Sequence, residues 1–298
     1  MKKVFILILF CLINTNLFAD KKFEKDLKRI SKDNAFIDNT GTVYSVDKID
    51  NKENTILVIY THGAMGDQKL DKCLSKWNLV PLVIKNLHNK KINNYEVKIY
   101  RLCSGVRGWS QPEQDKMWKH HEKTENLSLK DNDGKLLMNK QKQNQKLKVI
   151  KNTIDKFTDD GFKNIILAGH SSGGWQSLKI QSKNENLIDG VIGLHPGAGG
   201  TVKNRKDWPW WEDVRYYGFG DFTKLNALII THDKDKYNSP NDYSLLEKSN
   251  DVVFLNITKS KCKKKVTLGG YHGLALTKCY ANEEQKKNDL INYLEKLF

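Results

Sequence analysis

Arginine is scarce in this sequence, although the chain is strongly basic. Its 50 Lys and Arg residues against 35 Asp and Glu give a formal net charge of +15 at pH 7. Only five positions are arginine, namely Arg29, Arg101, Arg107, Arg205 and Arg215. Since phosphate and base recognition favours the planar arginine fork, we expect no nucleic-acid partner. The excess charge suits an acidic substrate or an anionic cell-envelope surface better.

Several sequence signatures of cofactors, repeats and metals are also missing. There is no Gly-rich phosphate loop and no dinucleotide fingerprint, so we expect no cofactor. No internal repeat or central linker divides the 298 residues, which indicates one domain. No cysteine spacing predicts a zinc site, and the adjacent His120-His121-Glu122 would point apart on a helix, so we expect no metal. The oligomeric state stays open.

The N-terminus has the pattern of a secretory signal. Lys2-Lys3 precede an apolar stretch from Val4 to Ile13, and Leu17-Phe18-Ala19 offers a small residue for cleavage before Asp20. This predicts a signal peptide over residues 1–19 and an exported mature chain, periplasmic or secreted. An uncleaved N-terminal anchor is the alternative, although the apolar run is short for a membrane span.

Four cysteines remain in residues 20–298: Cys73, Cys103, Cys262 and Cys279. An even number in an exported protein suggests disulfides, with three possible connectivities. We favour the pairs Cys73–Cys103 and Cys262–Cys279. Free buried thiols are the alternative.

The strongest motif follows Asn164, where the apolar run Ile165 to Ala168 ends in Gly169-His170-Ser171-Ser172-Gly173. A helix-like segment from Trp175 follows, so the pattern predicts a strand, a sharp turn and a helix. A serine hydroxyl is a weak nucleophile and must project from such a turn to meet a base. We therefore expect Ser171 to be the nucleophile and the Ser172 N–H to be an oxyanion donor. An ordinary serine in a strand–helix turn is the alternative.

A second oxyanion donor is expected after the apolar run Ile56 to Tyr60. This run continues into Thr61-His62-Gly63-Ala64-Met65, a Gly-containing turn that lets the backbone approach a ligand. We expect the Ala64 N–H to be the donor, with Met65 as the alternative. His62 is interpreted as a structural histidine.

Candidates for an acid and a base follow the last two strands. The run Ala227 to Thr231 is followed by His232-Asp233-Lys234-Asp235, which offers two carboxylates where one is needed. Beyond the last predicted strand, Gly270-Tyr271-His272-Gly273 presents a histidine between glycines. Such a loop histidine suits a general base better than a core residue.

Two long connections, near 104–139 and 198–222, are predicted as insertions. The second is rich in aromatic side chains, which either line a pocket or pack a cap against the core; both interpretations stay open. These side chains are Trp208, Trp210, Trp211, Tyr216, Tyr217, Phe219 and Phe222.

Alternating apolar strands and helices predict an α/β protein with a mostly parallel central sheet and helices on both faces. Four features of the sequence resemble the α/β-hydrolase family, and the candidate nucleophile, acid and base follow in the order Ser, Asp, His. The features are the strand–turn–helix pattern at Ser171, called the elbow below, the turn His62-Gly63-Ala64, the turn His232-Asp233-Lys234-Asp235 and the loop at His272. The resemblance covers nearly all of residues 20–298. It extends to secreted serine esterases and lipases and to dienelactone-hydrolase-like proteins, although the last usually carry Cys where Ser171 stands.

The resemblance implies an α/β-hydrolase fold and a triad of Ser171, Asp235 and His272. Asp235 is preferred by its spacing from the strand, with Asp233 as the alternative. The implied activity is hydrolysis of small-molecule carboxylic esters through an acyl-enzyme. A serine peptidase or amidase, and a non-catalytic envelope-binding protein that retains the fold, are the alternatives.

Overall fold

A mostly parallel sheet organises the part of the chain that the computed structural model describes, which is residues 35–37, 43–44, 49–63, 80–103, 132–262 and 270–298. The strands in these ranges are β1 Ala35–Ile37, β2 Val43–Tyr44, β3 Thr55–Thr61, β4 Lys91–Ile92, β5 Tyr95–Leu102, β6 Asn164–His170, β7 Gly190–Leu194, β8 Ala227–Thr231 and β9 Val252–Asn256. Their order is β2-β1-β5-β3-β6-β7-β8-β9, with β4 paired to β5. Only the β1–β2 and β4–β5 pairs among them are antiparallel. The predicted mostly parallel sheet is confirmed.

The sequences of the central strands are continuous apolar runs because both faces of these strands are buried. In β3, Ile56 and Val58 face one hydrophobic cluster, whereas Leu57 and Ile59 face the other. β3 lies between β5 and β6 and is parallel to both. A strand covered on both faces has no solvent side on which polar residues would alternate.

Helices cover both faces of this sheet, as predicted. The helices in the described residues are α1 Leu82–Lys85, α2 Asn132–Asp159, α3 Ser172–Lys183, α4 Val202–Asp207, α5 Trp210–Tyr216, α6 Lys278–Lys287 and α7 Asp289–Leu297, with 3₁₀ helices at Pro240–Lys248 and Gly270–Leu276. Helices α1, α6 and α7 pack on one face, and α2 and α3 pack on the other. None of the described helices combines the length and the hydrophobicity of a membrane-spanning segment.

The two predicted insertions contain helical structure where they are described. Helix α2 begins at Asn132, so the stretch predicted as an insertion near 104–139 includes its first turns; residues 104–131 lie outside the described residues. The segment 198–222 contains α4 and α5. The predicted signal peptide, residues 1–19, also lies outside the described residues.

A disulfide joins Cys262, just after β9, to Cys279 at the start of α6, with a Cα–Cα distance of 5.8 Å. This is one of the two predicted pairs. Cys103 is disulfide-bonded as well, while its predicted partner Cys73 lies outside the described residues. The Cys262–Cys279 bond closes the chain segment that carries His272.

Candidate active site

Ser171 stands on a strained turn between β6 and α3. Its backbone angles are φ 53° and ψ −126°, in a region that residues with a Cβ atom rarely adopt. Three backbone hydrogen bonds hold it: its N–H donates to the Leu194 carbonyl at 3.1 Å, and its carbonyl accepts from Trp175 and Gly197 at 3.0 Å each. The predicted strand–turn–helix is confirmed, although the helix begins at Ser172 rather than at Trp175.

The backbone around this turn leaves no room for additional atoms. A Cβ atom on Gly173 would lie 2.3 Å from the Thr61 carbonyl oxygen and 2.5 Å from that of His62. A Cβ atom on Gly169 would lie 2.5 Å from the Gly174 nitrogen. The start of α3 is therefore pressed directly against the end of β3.

This packing brings the predicted oxyanion turn next to the nucleophile. A Cβ atom on Gly63 would lie 3.2 Å from the Cβ of Ser171, so the chain after β3 passes beside the serine. The expected donor Ala64 and its alternative Met65 lie outside the described residues. Ser172 is the first residue of α3, so its N–H has no acceptor within the helix, and Ser172 lines the adjacent pocket.

Asp235 is the carboxylate that meets the candidate base. His272 lies on the 3₁₀ helix Gly270–Leu276, and its Nδ1 is 2.8 Å from Asp235 Oδ2. The other oxygen of Asp235 accepts the backbone N–H of Tyr237 at 2.8 Å. Asp233 is exposed and accepts instead from Asn256 Nδ2 at 2.6 Å. Of the two carboxylates left open by the sequence, only Asp235 contacts His272 in the described structure.

The hydrogen bonds of Asp235 define its charge and the orientation of His272. Burial raises the pKa of Asp235, but the neighbouring His195 and His272 outweigh burial, so the net pKa lies below the usual value. The ionised carboxylate accepts Nδ1–H of His272, which makes Nε2 the acceptor nitrogen. His272 Nε2 is buried and has no hydrogen-bond partner among the described residues.

His170 links the elbow to the segment that carries His272. Its Nε2–H donates to the His272 carbonyl oxygen at 2.8 Å, and the two rings are 4.8 Å apart. Burial, with a further contribution from the nearby His272, lowers the pKa of His170 to about 3, so the ring stays neutral and keeps one N–H. Sequence reasoning assigned His170 no role, and only its position inside the Gly-x-Ser-x-Gly pattern could have indicated one.

His195 is a second histidine on the acid that sequence reasoning missed. It directly follows β7, has φ 46°, is completely buried, and places Nδ1 3.3 Å from Asp235 Oδ2. Burial lowers its pKa, although Asp235 acts in the opposite direction. Asp235 Oδ2 thus lies between His195 and His272. The sequence signal that could have indicated this role is its position at the carboxyl end of β7, the strand that pairs with β6.

A cavity of about 310 Å³ opens beside Ser171. Among the described residues it is lined by Asn139, Lys142, Gln143, Lys146, Ser171, Ser172, Gln176, Gly197, Ala198, Gly199, Gly200, Trp211, Val214 and Tyr237. The Tyr237 ring lies 4.4 Å from the His272 ring. Tyr237 therefore contacts both the cavity and the base, whereas His272 itself does not line the cavity.

The aromatic segment 198–222 serves both roles that its sequence left open. Trp211 lines the cavity and Trp210 stacks on it at 4.3 Å. Phe222 is buried in the core, and Phe219 packs against Trp175 at 5.2 Å. Some of these aromatic side chains therefore form the pocket, and others hold the cap against the core.

Two of the five arginines anchor this segment. Arg205 and Arg215 are buried and reach Asp242 Oδ1 at 2.9 and 3.2 Å, which ties α4 and α5 to the 3₁₀ helix Pro240–Lys248. Glu212 adds a contact to Arg205 at 2.9 Å. The wall that carries Trp211 is thus fixed by shared charge-assisted bonds.

Within the described ranges, no group of three or more His, Cys, Asp or Glu side chains is arranged to hold a metal ion. His170, His195 and His272 approach one another. His170 Nε2 donates to the His272 carbonyl oxygen, and the Nδ1 atoms of His195 and His272 lie 3.3 and 2.8 Å from Asp235 Oδ2.

No protein-family model matches this sequence, and no curated protein matches it. Among solved structures, the chain is similar to one in a study of two prolyl endopeptidases, with TM-score 0.50, 10% identity, and coverage of 89% of this chain and 38% of that one. An esterase from Pyrococcus furiosus gives TM-score 0.46, 12% identity and 84% coverage of both chains. Acylaminoacyl peptidase from Pyrococcus horikoshii gives TM-score 0.44 and 12% identity, with coverage of 84% of this chain and 38% of that one.

The chain therefore spans 38% of the length of each of these two peptidase structures. At these identities the likeness concerns the fold alone. Together with the strand order and the helices on both faces, it confirms the predicted α/β-hydrolase fold.

Proposed function

We propose that the protein is a serine hydrolase that cleaves carboxylic esters through an acyl-enzyme on Ser171. The main support is the 2.8 Å contact between His272 Nδ1 and Asp235 Oδ2, on a loop that His170 joins to the elbow. The nucleophile stands at φ 53° on a strand–helix turn, and a cavity opens beside it. His272 Nε2 makes no hydrogen bond to Ser171 Oγ in this structure, so under this proposal that bond forms when substrate binds.

In the first half of the proposed reaction, Ser171 Oγ attacks the ester carbonyl carbon and His272 Nε2 takes the hydroxyl proton. The electron pair of the carbonyl moves to its oxygen, where the N–H groups of Ser172 and Ala64 would stabilise the oxyanion. Asp235 stabilises the imidazolium that forms. When the intermediate collapses, the bond to the alcohol oxygen breaks and the alcohol takes the proton from His272.

In the second half, water attacks the acyl carbon while His272 Nε2 takes a proton from it. Collapse returns that proton to Ser171 Oγ and releases the carboxylic acid. Removal of one oxyanion donor typically costs about 10²–10³-fold in rate, so both amides are expected to contribute. The mechanism uses only protein groups and water.

We also propose that the enzyme acts outside the cytoplasm. The leader-like residues 1–19 and the Cys262–Cys279 disulfide support an oxidising compartment. The basic chain would suit contact with an anionic envelope surface.

The test is labelling of the purified mature protein with a fluorophosphonate probe. We expect wild type to be labelled at Ser171, and Ser171→Ala and His272→Ala to lose labelling. Ser244→Ala is the matched control, because it removes a hydroxyl from an exposed serine away from the cavity, and it should be labelled like wild type. No labelling of correctly folded wild type would refute the proposal and favour the non-catalytic alternative.

A panel of esters and matched amides then separates the enzyme classes. We expect esters to be cleaved much faster than amides with the same acyl group. Faster amide turnover that depends on Ser171 would instead indicate a serine peptidase or amidase.

A further inference from the structure

One wall of the cavity beside Ser171 is polar and belongs to helix α2. Asn139, Lys142, Gln143 and Lys146 all line the cavity, and their spacing puts them on one face of the helix. In the later turns of α2 the inward face is apolar and enters the core through residues such as Leu147, Ile150 and Ile154. The inward face of α2 is therefore polar beside the cavity and apolar in the core.

Hydrogen bonds orient the amides of this wall. Gln143 Nε2 donates to the Val214 carbonyl at 2.8 Å, which turns Gln143 Oε1 towards Gln176 Nε2 at 3.2 Å. This leaves Gln176 Oε1 as an acceptor without a partner among the described residues, although the side chain is only 2% exposed. A buried acceptor on a cavity wall is costly unless a ligand donates a hydrogen bond to it.

Two lysine side chains line the same cavity as this acceptor. Lys146 Nζ donates to the His62 carbonyl at 3.3 Å, beside the turn that passes Ser171, and Lys142 lies one helical turn earlier on the same wall. None of the described residues that line the cavity is Asp or Glu. A purely apolar acyl chain would leave Gln176 Oε1 without a donor, whereas a substrate with an anionic group could add charge-assisted bonds to the lysines of this wall.

We propose that this cavity selects esters that carry a negatively charged group, such as a carboxylate, which binds Lys142. Gln176 Oε1 accepts a hydrogen bond from a hydroxyl or amide of the same substrate. Lys142 is then a specificity-determining residue. This inference rests on the proposed function, because it concerns the substrate of the same site.

Two matched pairs of esters test it. The first carries the charge in the acyl part, 4-nitrophenyl hemiglutarate against its neutral methyl ester. The second carries it in the alcohol part, 4-acetoxybenzoate against methyl 4-acetoxybenzoate. In at least one pair we expect the wild-type kcat/KM to favour the anion by about tenfold, as hydrogen bonds to charged groups allow. Lys142→Met should abolish this preference, because kcat/KM should fall for the anionic ester more than for the neutral one, and Lys142→Arg should retain it.

Lys148→Met is the control for net charge, because Lys148 is exposed on the same helix and does not line the cavity. It should keep the preference for the anion, whereas general attraction by the basic surface would weaken it equally in both variants. Equal turnover of charged and neutral esters in both pairs, or a preference that survives Lys142→Met, overturns the inference. Absence of both turnover and fluorophosphonate labelling would instead refute the proposed function itself.

Discussion

The candidate site joins two regions that are held in different ways. The serine arm, residues 164–183, lies in the middle of the sheet, and its turn is fixed by backbone atoms in close contact with the end of β3. The histidine arm, residues 270–287, reaches the site through directed contacts. These are the His272–Asp235 bond, the His170 bond to the His272 carbonyl, and the Cys262–Cys279 disulfide.

The serine arm is constrained by close backbone packing, whereas the histidine arm is constrained by a few directed bonds. Close backbone packing cannot accept an extra atom without moving a strand or helix, so changes in the serine arm should affect folding first. A few directed bonds set the orientation of a side chain, so changes in the histidine arm should affect chemistry first.

The acid that orients His272 should have the largest effect on chemistry. Asp235→Asn removes the carboxylate that accepts Nδ1–H, so His272 loses its preferred tautomer, and we expect kcat for an ester to fall by about 10³–10⁴-fold. Asp233→Asn is the matched control, because Asp233 is exposed and bonded to Asn256. Its kcat should stay within about threefold of wild type, as for a surface change of this size.

Circular dichroism and thermal melting should show both Asp variants folded. An equal or larger loss of kcat in Asp233→Asn would overturn the assignment of the acid and with it the account of how the histidine arm is oriented.

A glycine substitution in each arm tests the packing contrast directly. Gly173→Ala would bring a methyl group within 2.3 Å of a backbone oxygen, and we expect the free energy of unfolding to fall by about 3 kcal/mol or more. Gly270→Ala in the histidine arm meets no atom within 4 Å, so its cost is the strain of φ 69°, about 1–2 kcal/mol.

Urea unfolding followed by tryptophan fluorescence measures both values. Equal losses in the two glycine variants would mean that the serine arm is no more tightly packed than the histidine arm.

The disulfide should give the smallest effect on rate and a moderate one on stability. Cys262 and Cys279 are 17 residues apart, and loss of such a loop closure typically costs about 3 kcal/mol. The double variant Cys262→Ser, Cys279→Ser should therefore melt at a lower temperature and lose several-fold in kcat well below that temperature, because the segment of His272 is less restrained. Unchanged melting and unchanged kinetics would show that the two hydrogen bonds hold the histidine arm without the disulfide.

Much of the serine arm could be predicted because its determinants are local. An apolar run, two glycines and the following helix are neighbours in sequence, and short-range geometry alone gives the strand–turn–helix at Ser171. The start of α3 was predicted at Trp175, because Ser172, Gly173 and Gly174 have weak helix propensity. Packing against β3 nevertheless lets the helix begin at Ser172.

The histidine arm was only partly predictable. The glycine-flanked His272 indicated a base, but the choice between Asp233 and Asp235 depends on how the turn after β8 folds towards a residue 37 positions later. The bond from His170 spans 102 positions, and the role of His195 requires that β7 and β8 be neighbours. Patterns of periodicity contain no information on such pairs.

The sequence by itself therefore determined which segments form buried parallel strands and where the elbow serine stands, since burial and turn geometry depend on near neighbours. It also determined which residue types are available for acid and base chemistry. Only the tertiary structure decided that Asp235 meets His272, that His170 and His195 support them, and that a polar wall of α2 faces the cavity. These features arise from contacts between distant parts of the chain, which exist only once the sheet has assembled and brought the carboxyl ends of its strands to one edge.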